Sequence, residues 1–266
     1  LIAKAQPTKP AEQLLVIDIG NTSIALGIWD HGEIRTAATV ACSEFDSMRE
    51  VIEDYWRELG ASKRIVACSV VPARLEQLKT IAADVIGEKM LVVGDEVPAP
   101  IDAKIEKPES VGMDRLCCAA AAYATEGRAC VVVDLGTAIT VDCVDHDGHF
   151  IGGAILPGLG LQASVLAERT ALLPHIAVER PPCPLGQDTE QAIRSGIFHG
   201  SIGAIRRLVE SYSEILGHWP ALFLTGNDAP LVAEALEIAD RVVPHLCLRG
   251  VALAYFKAYG ALDPES

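Results

Sequence analysis

Short apolar runs rich in branched residues alternate along the chain with stretches whose apolar residues recur every three or four positions. "LLVID" (14–18) reads as a strand, and "SIALGIWD" (23–30) continues apolar beyond a turn at residues 20–22; with Gly32 next, the pattern predicts a β-hairpin. Phe45, Met48, Val51, Ile52 and Tyr55 recur at helical spacing and predict a helix over residues 43–59. "RIVACSVV" reads as the next strand, residues 72–86 as a helix and "KMLVVG" as another strand. A proline-containing loop over residues 97–110 leads into a helix from about Asp114 to Thr125, broken by Gly127. The alternation argues for an α/β architecture. The first thirteen residues, with Pro7 and Pro10, read as a loose arm before lobes of residues 14–126 and 127–258 and a tail of residues 259–266.

The opening pattern returns. "ACVVVDLGTAITVDCVDHDGHF" again carries an apolar run into an aspartate and a D-x-G turn. Without a gap, Asp18 falls on Asp134, Gly20 on Gly136 and Gly32 on Gly148, all at an offset of 116 residues, while Asn21 falls on Thr137. A repeat at this distance is too long for a solenoid and suits a duplicated domain. Both copies place a carboxylate at a strand end and a glycine inside the turn. Such a turn suits phosphate: glycine admits close backbone approach, N–H and hydroxyl groups meet the oxygens, and the carboxylate can hold a metal. Two such turns facing across a cleft would grip one nucleotide from both sides. A single D-x-G is more often an ordinary β-turn; the second copy, in register, favours the phosphate reading.

Composition narrows the partners. The chain has 266 residues, half of them hydrophobic, enough for a sizeable core in one large domain or two half-size ones. A formal charge of -14 disfavours nonspecific nucleic-acid binding, which needs a basic footprint. The eight cysteines contain no C-x-x-C pair, and most lie among Ala, Val and Leu, so they read as reduced core residues of a cytosolic protein. "LIAKAQPTKPAEQ" has Lys and Pro where a secretory h-region would be apolar, and no apolar run is long enough to span a bilayer. The expectation is a cytoplasmic protein with no membrane partner.

Taken in order, "DIGNTS" (18–23), "VGMDR" (111–115), "DLGTAIT" (134–140), "GGAILPG" (152–158), "ERTALLP" (168–174), "GQDTEQAIRSGI" (186–197) and "LTGNDA" (224–229) resemble the type III pantothenate kinases, within the actin, Hsp70 and sugar-kinase superfamily. The resemblance runs from about residue 14 to 255. It implies duplicated ribonuclease-H-like domains of the actin-like ATPase kind, with a nucleotide cleft between them. It implies ATP-dependent phosphorylation of pantothenate to 4'-phosphopantothenate, the first step towards coenzyme A. By position, Asp18, Ile19, Gly20, Asn21, Thr22 and Ser23 match the ATP-phosphate turn, and Thr137 a further ATP contact. Asp114 matches the proton acceptor. Ile105, Gly112, Met113, Arg115 and Thr189 fall on substrate-binding positions, Thr189 on one supplied across a homodimer interface. Asp134 matches the ligand of a monovalent cation, K+ or NH4+, beside Mg2+ carried with ATP. Those residue types fit phosphoryl transfer, which asks the protein to position the partners and neutralise charge while a carboxylate orients the attacking hydroxyl. The chain departs from the family at Ile105, where an aromatic residue is usual, and at Asp188, where asparagine is common.

Bland readings exist for some of these residues. Asp114 at a helix start is also a carboxylate favoured by the macrodipole, and Thr189 is also a candidate helix cap. His146 and His149, beside Asp145 and Asp147, read as solvated turn residues rather than a metal site. "PGLGLQA" (157–163) formally fits G-x-G-x-x-A and would make a dinucleotide-binding oxidoreductase. That reading leaves the repeat unexplained, and Gly158 and Gly160 read instead as a loop before the helix "LQASVLAERTA", whose apolar face is a candidate dimer contact. A non-catalytic accessory or regulatory protein that retains the kinase fold is the other alternative. Retention of Asp18, Asp114, Asp134 and Thr137 speaks against it.

Overall fold

The computed structural model describes residues 13–260. The expected arm lies outside the described residues except for Gln13, which opens the first strand; the expected tail lies outside them except for Tyr259 and Gly260. Contacts divide the chain into two compact units, one of residues 13–102, 107–121 and 245–260, the other of residues 103–106 and 122–244.

In the first unit, β1 (Gln13–Ile19), β2 (Ser23–Asp30), β3 (Glu33–Ala41), β4 (Lys63–Ser69) and β5 (Leu91–Val92) form one sheet in the order β3-β2-β1-β4-β5. β2 is antiparallel to β1 and β3, whereas β4 is parallel to β1 and β5. β1 is central and buried on both faces, which is why it reads as an unbroken apolar run. Its side chains alternate: Leu15, Ile17 and Ile19 enter a core with Met48 and Ile52 of α1 (Met48–Glu58) and Leu75, Leu78 and Ala82 of α2 (Pro72–Ile86). Asp18 therefore points to the other face. The β2–β3 turn places His31 at φ +47° and Gly32 at φ +90°, the left-handed pair that a tight hairpin requires.

The second unit repeats this plan. β6 (Cys130–Leu135), β7 (Ala138–Val144), β8 (Phe150–Pro157), β9 (Ala221–Thr225) and β10 (Arg241–Val242) form a sheet in the order β10-β9-β6-β7-β8, the same topology read from the other edge. Val131, Val133 and Leu135 pack with residues of α4 (Leu159–Arg169), α5 (Thr189–Leu216) and α6 (Ala229–Leu236). Asp134, like Asp18, lies on the opposite face. The chain thus has the duplicated α/β fold that the repeat implied, of the actin-like kind that the resemblance implied.

The fold also corrects several expectations. The helix expected over residues 43–59 is a 3-10 turn, Cys42–Ser47, followed by α1, because Glu44 leaves helical geometry. The strand "KMLVVG" joins the sheet only at Leu91 and Val92, and Val93 bridges Val97 around the turn at Gly94, φ +101°. α4 starts at Leu159, so Gly158 is its cap and Gly160 lies inside it. The helix expected from Asp114 is α3 (Met113–Glu126), with residues 113–121 in the first unit and 122–126 in the second. A division into consecutive lobes also misses the last helix, α7 (Leu246–Tyr259), which packs on β1, β2 and β4 of the first unit. Leu246, Leu248, Val251 and Ala252 are wholly buried there, each large aliphatic worth about 1.5–3 kcal/mol relative to exposure. Gly250 has no room for a side chain because the backbone of Cys117 in α3 lies against it. Among the described residues, no helix is long and apolar enough to cross a membrane.

Candidate active site

In the first unit, half-buried Asp18 is the next-to-last residue of β1, opposite Ala25 of β2 and beside Cys68 of β4. The Cys68 thiol lies 3.4 Å from Asp18 Oδ1 as a donor. The turn that follows is shaped by Gly20, whose N–H donates to the Ser23 carbonyl at 3.0 Å; a Cβ on Gly20 would stand 3.0 Å from that same oxygen. Asn21 and Thr22 are exposed at its tip, and the Thr22 carbonyl accepts from the Cys42 N–H at 2.8 Å, tying the turn to the end of β3.

Asp114 and its neighbours belong to the same unit. The Ile19 carbonyl accepts from Val70 N–H at 3.2 Å. Val70 Cγ1 lies 3.4 Å from the point where a Gly112 Cβ would stand, and Asp114 Oδ1 lies 2.5 Å from that point. Ile19, Val70, Gly112 and Asp114 thus form a contiguous set that joins the D-x-G turn to the G-x-D-R segment. Asp114 sits in the first turn of α3, where its Oδ1 accepts from the Arg115 N–H at 2.8 Å and where the macrodipole favours a carboxylate. Met113 packs against Gly94, whose positive φ and missing side chain make that contact possible.

In the second unit, Asp134 faces Thr140 of β7 and Thr225 of β9 in register. Gly226, at φ +92°, takes the chain past it; a Cβ there would lie 2.5 Å from both Asp134 Oδ1 and the Leu135 carbonyl oxygen. Carboxylate and carbonyl thus converge on one point, and such a set of hard oxygens fits a hard cation. The turn after Asp134 differs from the first by one residue. Leu135 pairs with Ile139, whereas Ile19 pairs with Ile24, so the gap-free alignment holds through the D-x-G and slips in the next strand. Gly136 N–H donates to the Ala138 carbonyl at 3.1 Å, and exposed Thr137 accepts at its carbonyl from Gly158 N–H at 2.9 Å.

Ile105 lies in the second unit beside β8: Lys104 N–H donates to the Phe150 carbonyl at 2.8 Å, and Ile105 Cγ2 is 4.0 Å from where a Gly152 Cβ would stand. Thr189 is the exposed first residue of α5. It is not the cap. Asp188 is, accepting from Gln191 N–H at 2.8 Å and from the Gln191 amide at 2.7 Å.

Sequence reasoning passed over Asp142, which is 1% exposed on β7 and accepts from Thr140 Oγ1 at 3.0 Å, and over buried Thr225. The polar alternation "TVD" inside an apolar strand was the available signal for Asp142. Of the two histidines, His146 is exposed as expected, its ring stacked on His218 at 4.3 Å, whereas the His149 ring is half-buried with Nδ1 3.2 Å from Asp145 Oδ1. The His149 contacts outweigh the burial of Asp145 and hold its carboxyl below its usual range.

The G-x-G-x-x-A match fails on topology. The strand before it, β8, is antiparallel to β7, and the Gly158 N–H is already committed to Thr137. A side chain at Gly158 would also collide with the carbonyls of Gly136 and Thr137, which accounts for the glycine without a dinucleotide.

The chain is similar to known proteins over most of its length. A family model described as type III pantothenate kinase matches residues 14–211. A type III pantothenate kinase of Dehalococcoides mccartyi (strain ATCC BAA-2266 / KCTC 15142 / 195) is 35% identical over 253 residues, covering 92% of this chain and 98% of that relative. Among solved structures, a Campylobacter jejuni protein named for the Baf family of transcriptional activators superposes with a TM-score of 0.61 at 23% identity, covering 91% of this chain and 97% of that one. Component A of (R)-2-hydroxyglutaryl-CoA dehydratase from Acidaminococcus fermentans gives 0.55 at 18% identity, covering 93% and 97%. At those identities the two structures speak for the fold alone.

Proposed function

The chain belongs to the type III pantothenate kinase family, which phosphorylates pantothenate with ATP on the route to coenzyme A, and we propose that Asp114 is the carboxylate that accepts the proton of the attacking hydroxyl. In that step the hydroxyl oxygen bonds to the γ-phosphorus, the bridging bond to the β-phosphate breaks, ADP leaves and the proton passes to Asp114. The observation that carries the reading is the set Ile19, Val70, Gly112 and Asp114, which seats the carboxylate in the unit that also holds the Asp18 turn.

The other roles follow from the family pattern. Asp18, Ile19, Gly20, Asn21, Thr22 and Ser23 receive the ATP phosphates, and Thr137 makes a further ATP contact. Gly112, Met113 and Arg115 bind pantothenate together with Ile105 and Thr189, and Arg115 offsets the substrate carboxylate. Metal use comes with ATP in this family. Mg2+ accompanies the nucleotide, and K+ or NH4+ sits at Asp134; the convergence of its Oδ1 with the Leu135 carbonyl supports that placement. These ions supply the positive charge that a chain of net charge -14 lacks. Homodimerisation is supported by an apolar groove between α4 and α5, about 450 Å³ and lined by Pro157, Val165, Leu166, Ile193 and Ile197, with Leu161 and Val165 exposed. A cytoplasmic location accords with the free cysteines.

The test is ADP release by the purified chain with ATP, Mg2+ and K+, with and without pantothenate. Pantothenate-dependent turnover is expected. No turnover, with Asp114→Asn indistinguishable from the parent in ligand binding, would favour the accessory-protein reading.

A further inference from the structure

Six of the eight cysteines are buried, and four of these, Cys68, Cys117, Cys118 and Cys247, meet in the first unit. Cys68 comes from β4, Cys117 and Cys118 from α3 and Cys247 from the first turn of α7, so elements far apart in sequence converge there. Cys68 Sγ is 3.5 Å from Cys247 Sγ and 3.4 Å from Asp18 Oδ1. The thiol sulfurs of Cys68, Cys117 and Cys247 all lie within 4.8 Å of one another.

Tetrahedral zinc, with thiolates at about 2.3 Å, sets edges of about 3.8 Å between sulfurs. The Cys68–Cys247 spacing of 3.5 Å lies close to that edge, and Cys117 Sγ lies within 4.8 Å of both. We infer that Cys68, Cys117 and Cys247 form a binding site for a thiophilic divalent cation of the zinc class, beside the Asp18 carboxylate that approaches Cys68.

The chemistry of the cluster supports this. Ordinary packing explains one buried thiol as a small apolar residue. It gives no reason for three sulfurs to converge beside a carboxylate. The neighbouring thiols of Cys117 and Cys247 hold the Cys68 thiol well below its usual range, and those of Cys117, Cys118 and Cys68 push Cys247 well above. On binding, each ligating thiol gives its proton to solvent, and the cation supplies the positive charge that buried thiolates require. Binding would also staple α7 and α3 to β4.

The test uses the reduced full chain titrated with Cd2+, followed by thiolate-to-cadmium charge-transfer absorption, with bound metal counted by native mass spectrometry. One tightly held ion per chain is expected. Cys68→Ala and Cys247→Ala should each weaken binding by about tenfold or more, with Cys68→Ser and Cys247→Ser as conservative forms should either alanine variant not fold. Exposed Cys183→Ala and buried Cys130→Ala, whose residues lie outside the cluster, should bind as the parent does. A parent chain that shows no charge-transfer band at one equivalent, or a folded Cys68 variant that keeps the full band, overturns the assignment.

Discussion

The carboxylate of Asp114 occupies the space that a side chain at residue 112 would need: a Cβ built on Gly112 would stand 2.5 Å from Asp114 Oδ1 and 3.4 Å from Val70 Cγ1. The glycine of the G-x-D-R segment is thus explained by the position of its aspartate. Gly112→Ala should therefore lower kcat by about a hundredfold, the cost of misplacing a reacting group by about 1 Å. The melting temperature should change little, because the carboxylate is the far end of a movable side chain. Steady-state kinetics beside a thermal melt checks this, and an unchanged kcat would refute the packing argument.

Gly226, in the second unit, is likewise crowded by an aspartate, but its obstacle includes backbone. A Cβ there meets Asp134 Oδ1 and the Leu135 carbonyl at 2.5 Å, and φ is +92°. Gly226→Ala should cost about 1–3 kcal/mol of stability from backbone strain alone, and more from the collision. It should also shift the K+ concentration that activates turnover. Urea unfolding and a K+ titration of rate separate the two effects.

Asp188 is the cap of α5 through Gln191. Asp188→Ala should destabilise the protein by about 1 kcal/mol. Asp188→Asn should keep most of that stability, since asparagine caps equally well. Paired denaturation curves decide; equal losses in the two variants would remove the cap assignment.

Burial raises the carboxyl of Asp228 above its usual range. A folded value above the unfolded one means that the native state holds the proton more tightly, so the group favours folding at low pH and that contribution is lost as pH rises through the raised value. Asp228→Asn should consequently stabilise the protein at neutral pH and converge with the parent below the ordinary carboxylate range. Stability measured against pH for both proteins checks the sign.

Much of this was legible in the sequence because strand alternation is a local property. "LLVID" fixes which face Asp18 takes once Leu15 and Ile17 enter the core, and "CVVVD" does the same for Asp134. The α7 segment "LCLRGVALAYF" announces burial, but nothing local says on which sheet, and it packs on the first. The one-residue shortening of the second turn was equally hidden, because a register change inside a hairpin leaves the flanking D-x-G untouched. The convergence of Cys68, Cys117 and Cys247 depends on the packing of three distant elements. Asp114 was legible by motif, whereas the reason for Gly112 beside it needed coordinates.

The central claim, that Asp114 takes the proton of the pantothenate hydroxyl, is tested most directly by kcat for Asp114→Asn with saturating ATP, Mg2+, K+ and pantothenate. Asparagine keeps the shape and the contact with Arg115 N–H but accepts no proton, so kcat should fall by about 10²–10⁴-fold while the variant melts near the parent. Turnover at the parent's rate would contradict the account.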